Sequence, residues 1–298
     1  MFAKVQQVRL NYCKFNQKML RVELYSGLSG AVSAGDINPG QFGRRLILPY
    51  SFIRGPKYMF ELYQDCMSIV RQYGKPDYFI AFTCNPDCEK ITSALMNNKK
   101  LTGRPDLIVR VFVIKFREFI DDICVKHVLG RPKVYAYTIE FQKLGFPHAH
   151  ILVILTEEDK PRDPSDYDKF VCAEISNPST SPKLYKIVKR CMMWSIKETA
   201  SCMRDGKCSK QFLKAFAKFT NKDKDSYPVY KRTAKVCGFE LDNRWVVSYN
   251  LTFLLKFNAH IYVEISSRVK AVKYLYKYLK GHDRVIVEFH AGESSASS

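Results

Sequence analysis

The sequence predicts an α+β domain organised on a mainly antiparallel sheet. Three features in chain order carry that reading. Residues 77–84 (DYFIAFTC) have the length and aromatic content of a buried strand. Residues 107–125 repeat Val109, Phe112, Val113, Phe116, Phe119 and Ile120 at helical spacing, and residues 134–155 read as a β-hairpin.

Each element has its own local cause. Residues 4–27 place Val5, Val8, Leu10, Phe15, Met19, Leu20, Val22 and Leu24 in a basic amphipathic helix ending near Gly27. A Gly- and Ser-rich loop runs on to about Arg44. Residues 58–73 form a second helix, closed by Gly74 and Pro76, and Asn85 and Pro86 stop the strand that follows. In the hairpin, 134–142 is one strand, 143–147 the turn with Gly145, and 148–155 the return strand. Residues 156–183, rich in Pro, Ser, Asp and Glu, read as surface loops, and 184–260 as helix mixed with short strands. Residues 268–280 are a helix with Gly281 at its C-cap position. Residues 284–289 make a last strand before a disordered AGESSASS tail. The expected division is an N-terminal helical region over 1–75, a main domain over 76–290 with an insertion at about 156–260, and a tail over 291–298.

Composition narrows the function classes. The 46% hydrophobic and 26% charged content of the 298 residues excludes disorder throughout, collagen and a small disulfide scaffold. The longest apolar stretch, Ala149 to Leu155 interrupted by His150, is far short of the roughly 20 residues of a spanning helix, so no membrane partner is expected. Ten scattered cysteines, with no signal peptide at the N-terminus, suit reduced thiols. The 48 basic against 29 acidic side chains leave a charge of +19. Residues 204–284 alone hold 18 basic and 7 acidic side chains, a net +11. A polyanion is the natural partner of such a surface.

Two groups of residues could carry chemistry. His148 and His150 are one residue apart on a strand and share a face, an arrangement suited to a divalent metal. If Gln142 pairs across from His148, Glu140 pairs across from His150, and either side chain could supply a third ligand. That register is assumed, and a slip of one residue would remove both. The second group is RVKAVKYLYKYLKG. Val272, Leu275, Tyr276 and Leu279 form its apolar stripe, while Tyr274 and Tyr278 lie together on the other side. Lys270, Lys273, Lys277 and Lys280 flank the two tyrosines and would hold DNA phosphates. A phenol is a weak nucleophile near neutral pH because its pKa is about 10. Neighbouring ammonium groups favour the phenolate, and a metal on the histidines would polarise the same phosphate. The pairing is coherent for DNA cleavage through a covalent phosphotyrosine. Trp245, Tyr227, Tyr230, Tyr249 and Phe253 lie in the most basic region, as base-stacking or as core residues.

FPHAHILVIL preceded by YTIEFQK, with KYLYKY inside AVKYLYKYLKGHD, resembles the HUH endonuclease, or rolling-circle initiator, domain of Helitron transposases, the Helitron helicase-like domain family. FIAFTCNP, GRRLILPYSFIRGPKYM, RPDLIVRVFVIKFREFIDDI, YPVYKR and LDNRWVVSYNLTFLLKFNAHIYVE are similar to that family in the same order, over about 5–284. The resemblance implies an HUH-type central antiparallel sheet flanked by helices, with a long insertion between the HxH strand and the tyrosine helix. It implies a nuclear enzyme that nicks and transfers single-stranded DNA at transposon ends. His148 and His150 would bind Mg²⁺ or Mn²⁺, assisted by Gln142 or Glu140, and Tyr274 and Tyr278 would be the nucleophiles. Trp194, Ser195 and Ile196 replace a family His-Gly-Pro-Cys pattern, and Leu213 and Ala215 stand where prolines are common. Cys191, Cys202 and Cys208 are too few and irregular for a structural zinc site. The Gly-Lys pairs at 74–75 and 206–207 lack the following Ser or Thr of a phosphate loop, so no helicase activity is expected here. A full-length relative would supply it. The alternative is a truncated, inactive transposon remnant that at most binds single-stranded DNA.

Overall fold

Phe79, Ala81 and Thr83 alternate along one strand with Tyr78, Ile80 and Phe82, and this period of two organises the fold. The computed structural model describes residues 2–16, 48–49, 52, 55–95, 104–142, 146–193, 203–204, 207–208, 213–224, 227–233, 242–266 and 287–291. The chain divides into two compact units, 1–65 and 66–298.

Helix α1 spans Phe2–Phe15, so the expected helix over 4–27 is found in its first part, and residues 17–27 lie outside the described residues. Helix α2 spans Pro56–Tyr73 and stops where Gly74 takes a left-handed φ of 91°, its N–H bonded to the Val70 carbonyl at 2.9 Å.

Strands β1 (Tyr78–Thr83), β2 (Pro132–Phe141), β3 (Pro147–Leu155), β8 (Ile261–Ile265) and β9 (Val287–Ala291) form a five-stranded sheet in the order β8-β1-β3-β2-β9. Every neighbouring pair is antiparallel. The α+β class with an antiparallel sheet is therefore as expected. Two short ladders, β4 (Met203–Arg204) with β5 (Lys207–Cys208) and β6 (Asn221–Lys222) with β7 (Pro228–Val229), stand apart from it. The expected helix over 268–280 lies outside the described residues.

One sheet face carries the main core. Ile80 and Phe82 of β1, Ile151 and Val153 of β3 and Ile261 and Val263 of β8 pack with helices α4 (Pro105–Cys124) and α7 (Leu251–Phe257). α3 (Glu89–Thr92) adds the buried Ile91. In α4, Phe112, Phe116 and Phe119 recur at spacings of four and three and so share one buried stripe. Phe119 stacks on Phe82 with ring centroids 4.8 Å apart and meets Phe253 at 4.6 Å. The buried carboxylate of Asp122 accepts from Lys126 at 2.6 Å and from Lys256 at 2.7 and 2.6 Å, tying α4 to α7.

The stretch 156–183 departs from the expected loops. It contains helix α5 (Pro164–Phe170), with Pro164 opening the first turn and the Asp166 carboxylate accepting from the Asp163 backbone N–H at 3.3 Å. Short polar capping residues at a helix start have the same composition as a loop, which is why α5 was hidden. A second cluster joins α6 (Pro182–Cys191), through Leu184, Ile187 and Val188, to Val246, Val247, Tyr249 and Leu254. Arg232, itself buried, anchors this region by donating to the carbonyls of Asn243 at 2.7 Å and Val246 at 2.6 Å. Among the described residues no helix is long and apolar enough to cross a membrane.

Candidate metal centre

β3 reads PHAHILVIL and is buried along its whole length, so both of its faces are covered. Its odd-numbered residues enter the apolar core; its even-numbered ones begin with His148 and His150. On the β1 side, Thr83 lies opposite His148 and Ala81 opposite His150. On the β2 side, Glu140 lies opposite His148 and Thr138 opposite His150.

The hairpin register differs from the assumed one by two residues. Gln142 was expected opposite His148, and Glu140 opposite His150. Instead Phe141 pairs with Pro147, and the Gln142 N–H bonds to the Phe146 carbonyl at 2.9 Å. The first strand thus ends at Phe141 and the return strand begins at Pro147, one residue earlier at each end than the sequence reading. A displacement of two preserves which face each side chain occupies, so Glu140 remains on the histidine face. Gln142 is exposed, one residue beyond the last ladder pair.

Glu140, His148 and His150 converge. One ligand atom from each lies within 4.8 Å of the other two, and both histidines are buried. His150 Nε2 is 3.3 Å from Glu140 Oε1. The two imidazole rings stand nearly perpendicular at 79°, with centroids 4.5 Å apart, and Phe79 stacks on His150 at 5.7 Å. Thr83 Oγ1 is 2.7 Å from His148 Nδ1. With Nδ1 engaged by a hydroxyl, Nε2 is the nitrogen that His148 offers to an ion.

The electrostatics favour ligation. Burial, with smaller contributions from His150 and His260, pushes His148 down to about 3, so its imidazole is neutral near neutral pH. Neutral imidazoles are the metal-binding form. His260 closes the neighbourhood at the entrance to β8: its carbonyl accepts from the Thr83 N–H at 3.0 Å, and its Nδ1 bonds to the Cys191 carbonyl at 2.6 Å. Burial lowers the pKa of His260 as well.

Two imidazoles and a carboxylate are a suitable donor set for a divalent ion. Nitrogen and oxygen ligands of one ion at about 2.0–2.2 Å stand no more than about 4.4 Å apart, so small side-chain rotations would close the site. Among the described residues this is the sole group of three His, Cys, Asp or Glu side chains placed to hold a metal. Tyr274, Tyr278, Lys270, Lys273, Lys277, Lys280 and Cys202 lie outside the described residues.

Thr83 and Phe79 are site residues that sequence reasoning did not single out. Their shared face was readable from alternation along FIAFTCNP. Their meeting with the histidines depends on a pairing across 65 positions of chain. Of the aromatics in the basic region, Tyr230, Tyr249 and Phe253 are buried core residues, whereas Tyr227 and Trp245 are half-buried.

A family model for the Helitron helicase-like domain at the N-terminus matches residues 1–153, a span that takes in β1, β2, Glu140 and both histidines. No curated protein matches the chain.

Proposed function

The chain belongs to the Helitron helicase-like N-terminal domain family, and from that premise we propose that it nicks and transfers single-stranded DNA at transposon ends. The observation that carries the reading is the buried cluster of Glu140, His148 and His150. In the forms that ligate a metal, two imidazoles and one carboxylate bring a single negative charge, which leaves the site able to receive a phosphodiester. A divalent cation there, Mg²⁺ or Mn²⁺, would polarise the scissile phosphate and offset the charge growing on its oxygens.

The protein's own residues would do the rest. Thr83 holds the His148 ring, and Phe79 backs the ring of His150. The oxygen of Tyr274 or Tyr278 loses its proton and attacks phosphorus, and the bond from phosphorus to the 3′-oxygen breaks. The 3′-oxygen takes up a proton. The products are a 5′-phosphotyrosine link and a free 3′-hydroxyl, and the second tyrosine serves the second strand end. The lysines beside the tyrosines bind the backbone phosphates. In this reading the chain works in the nucleus, and unwinding is the work of a separate helicase activity.

Incubation with labelled single-stranded oligonucleotides and Mn²⁺ or Mg²⁺ tests it. An SDS-resistant protein–DNA adduct is expected, and it is lost in the Tyr274→Phe, Tyr278→Phe double variant. Salt-sensitive DNA binding with no adduct under either metal overturns the nicking reading and leaves a DNA-binding remnant.

A further inference from the structure

We propose that Phe216 and Phe219 form a stacking platform for unpaired DNA bases, separate from the metal cluster. The proposal rests on the reading that single-stranded DNA is the substrate. Phe216 is 45% exposed and Phe219 69% exposed. A phenylalanine side chain left in water forgoes the free energy of burial, so two only three positions apart call for an explanation. Tyr230 and Tyr249 of the same basic region are by contrast buried at 6% and 1%.

Each exposed ring has its own cation. The Arg244 guanidinium carbon lies 4.8 Å from the centre of the Phe216 ring, and Lys218 Nζ lies 5.5 Å from that of Phe219. Arg244 is held in place: its Nε donates to Asp242 Oδ1 at 3.0 Å and its terminal nitrogen to Oδ2 at 2.7 Å. The backbone beneath is pinned too. The Lys214 N–H bonds to the Arg244 carbonyl at 3.1 Å, and Ala217 and Arg232 exchange both main-chain bonds, at 3.1 and 2.8 Å. Arg232 is itself anchored in the second core. The rings are therefore carried on a fixed main-chain frame.

Charge decides the occupant. Residues 213–224 (LKAFAKFTNKDK) carry four lysines and one aspartate, and residues 213–216 and 218–219 are each exposed. A protein-binding patch is depleted in lysine. Aromatic faces set among cations suit a single strand, whose bases stack on the rings while its phosphates meet the ammonium and guanidinium groups. A duplex keeps its bases stacked on each other and cannot use the rings.

The experiment uses the full chain and a fluorescein-labelled 20-nucleotide oligo(dT), read by anisotropy in EDTA so that no metal chemistry contributes. The Phe216→Ala, Phe219→Ala double variant is expected to keep its melting temperature, because both rings are exposed, and to bind about tenfold or more weaker. Phe216→Trp, Phe219→Trp restores binding. An abasic oligonucleotide of equal length binds the native chain as weakly as oligo(dT) binds the alanine variant. The salt dependence is unchanged in the alanine variant and shallower in Lys214→Ala, Lys218→Ala. Affinity within twofold of native in the alanine variant overturns the proposal. So does an equal loss on duplex DNA. If binding depends on the rings but no adduct forms with Mn²⁺, the nicking reading fails and the platform stands; adduct formation with ring-independent binding gives the reverse.

Discussion

Ala149, Ile151 and Val153 of β3 pack beneath α4 and α7, while His148 and His150 of the same strand meet Thr83 and Glu140 on the other side. Neighbours one residue apart thus serve different ends. The apolar face is held by ring packing, as where Phe119 lies between Phe82 and Phe253, and non-directional burial tolerates exchanges of similar volume. The histidine face depends on distances: 2.7 Å from Thr83 to His148 and 3.3 Å from His150 to Glu140. Substitutions on the first face should therefore cost stability, and on the second metal binding.

Phe119→Ala is the strongest test of the separation. It opens a cavity in the centre of the aromatic cluster and should lower the unfolding free energy by about 3–5 kcal/mol, measured by denaturant titration. The folded fraction should still bind Mn²⁺ with native affinity in calorimetry; a loss of affinity in folded protein would merge the two faces. Next, His150→Gln removes a ligand on the other face. Its Mn²⁺ Kd should rise by more than the roughly 10–100-fold that follows loss of an outer partner, and the adduct should disappear.

Thr83→Val sharpens the comparison, since it removes one hydroxyl while keeping strand shape. The Mn²⁺ Kd should rise about 10–100-fold, with Thr83→Ser restoring it. Nitrogen NMR of the metal-free imidazole should report a changed proton distribution on His148. An unchanged spectrum and affinity would remove Thr83 from the site.

The smallest effect belongs to Asp122. Burial raises the pKa of its carboxyl, but hydrogen bonds from Lys126 and Lys256 outweigh this and hold it below 3.8. The folded pKa is thus depressed, so the stabilisation is present above about pH 4 and lost as pH falls through and below that value. Lys256 is 30% exposed, which limits the contribution to about 1 kcal/mol. Asp122→Asn should remove that much stability at pH 7 and flatten the acid limb of the unfolding curve by the same amount, with Mn²⁺ affinity at pH 7 unchanged.

Much of the fold was legible because its signals are local. The periodicity of residues 107–125 marked α4, and the alternation and turn of the HxH region marked the β2–β3 hairpin. The third ligand remained between Glu140 and Gln142, because the hairpin register depends on where the turn closes. Pro147 joins the return strand and pairs with Phe141, which sets Glu140 opposite His148. Helix α5 was hidden by a loop-like composition.

The sequence by itself determined that His148 and His150 share a face, that Thr83 shares one with Phe79, and that residues 204–284 carry a large positive charge. These follow from the pleat of an extended chain and from counting ionised groups. Only the tertiary structure decided that Thr83 reaches His148 across 65 positions, that Glu140 faces it from β2, and that Tyr249 is core while Phe216 is exposed. Pairing between distant strands, and the choice of which rings leave water, depend on how the whole chain satisfies its backbone and buries its apolar area. No short stretch of residues encodes that outcome.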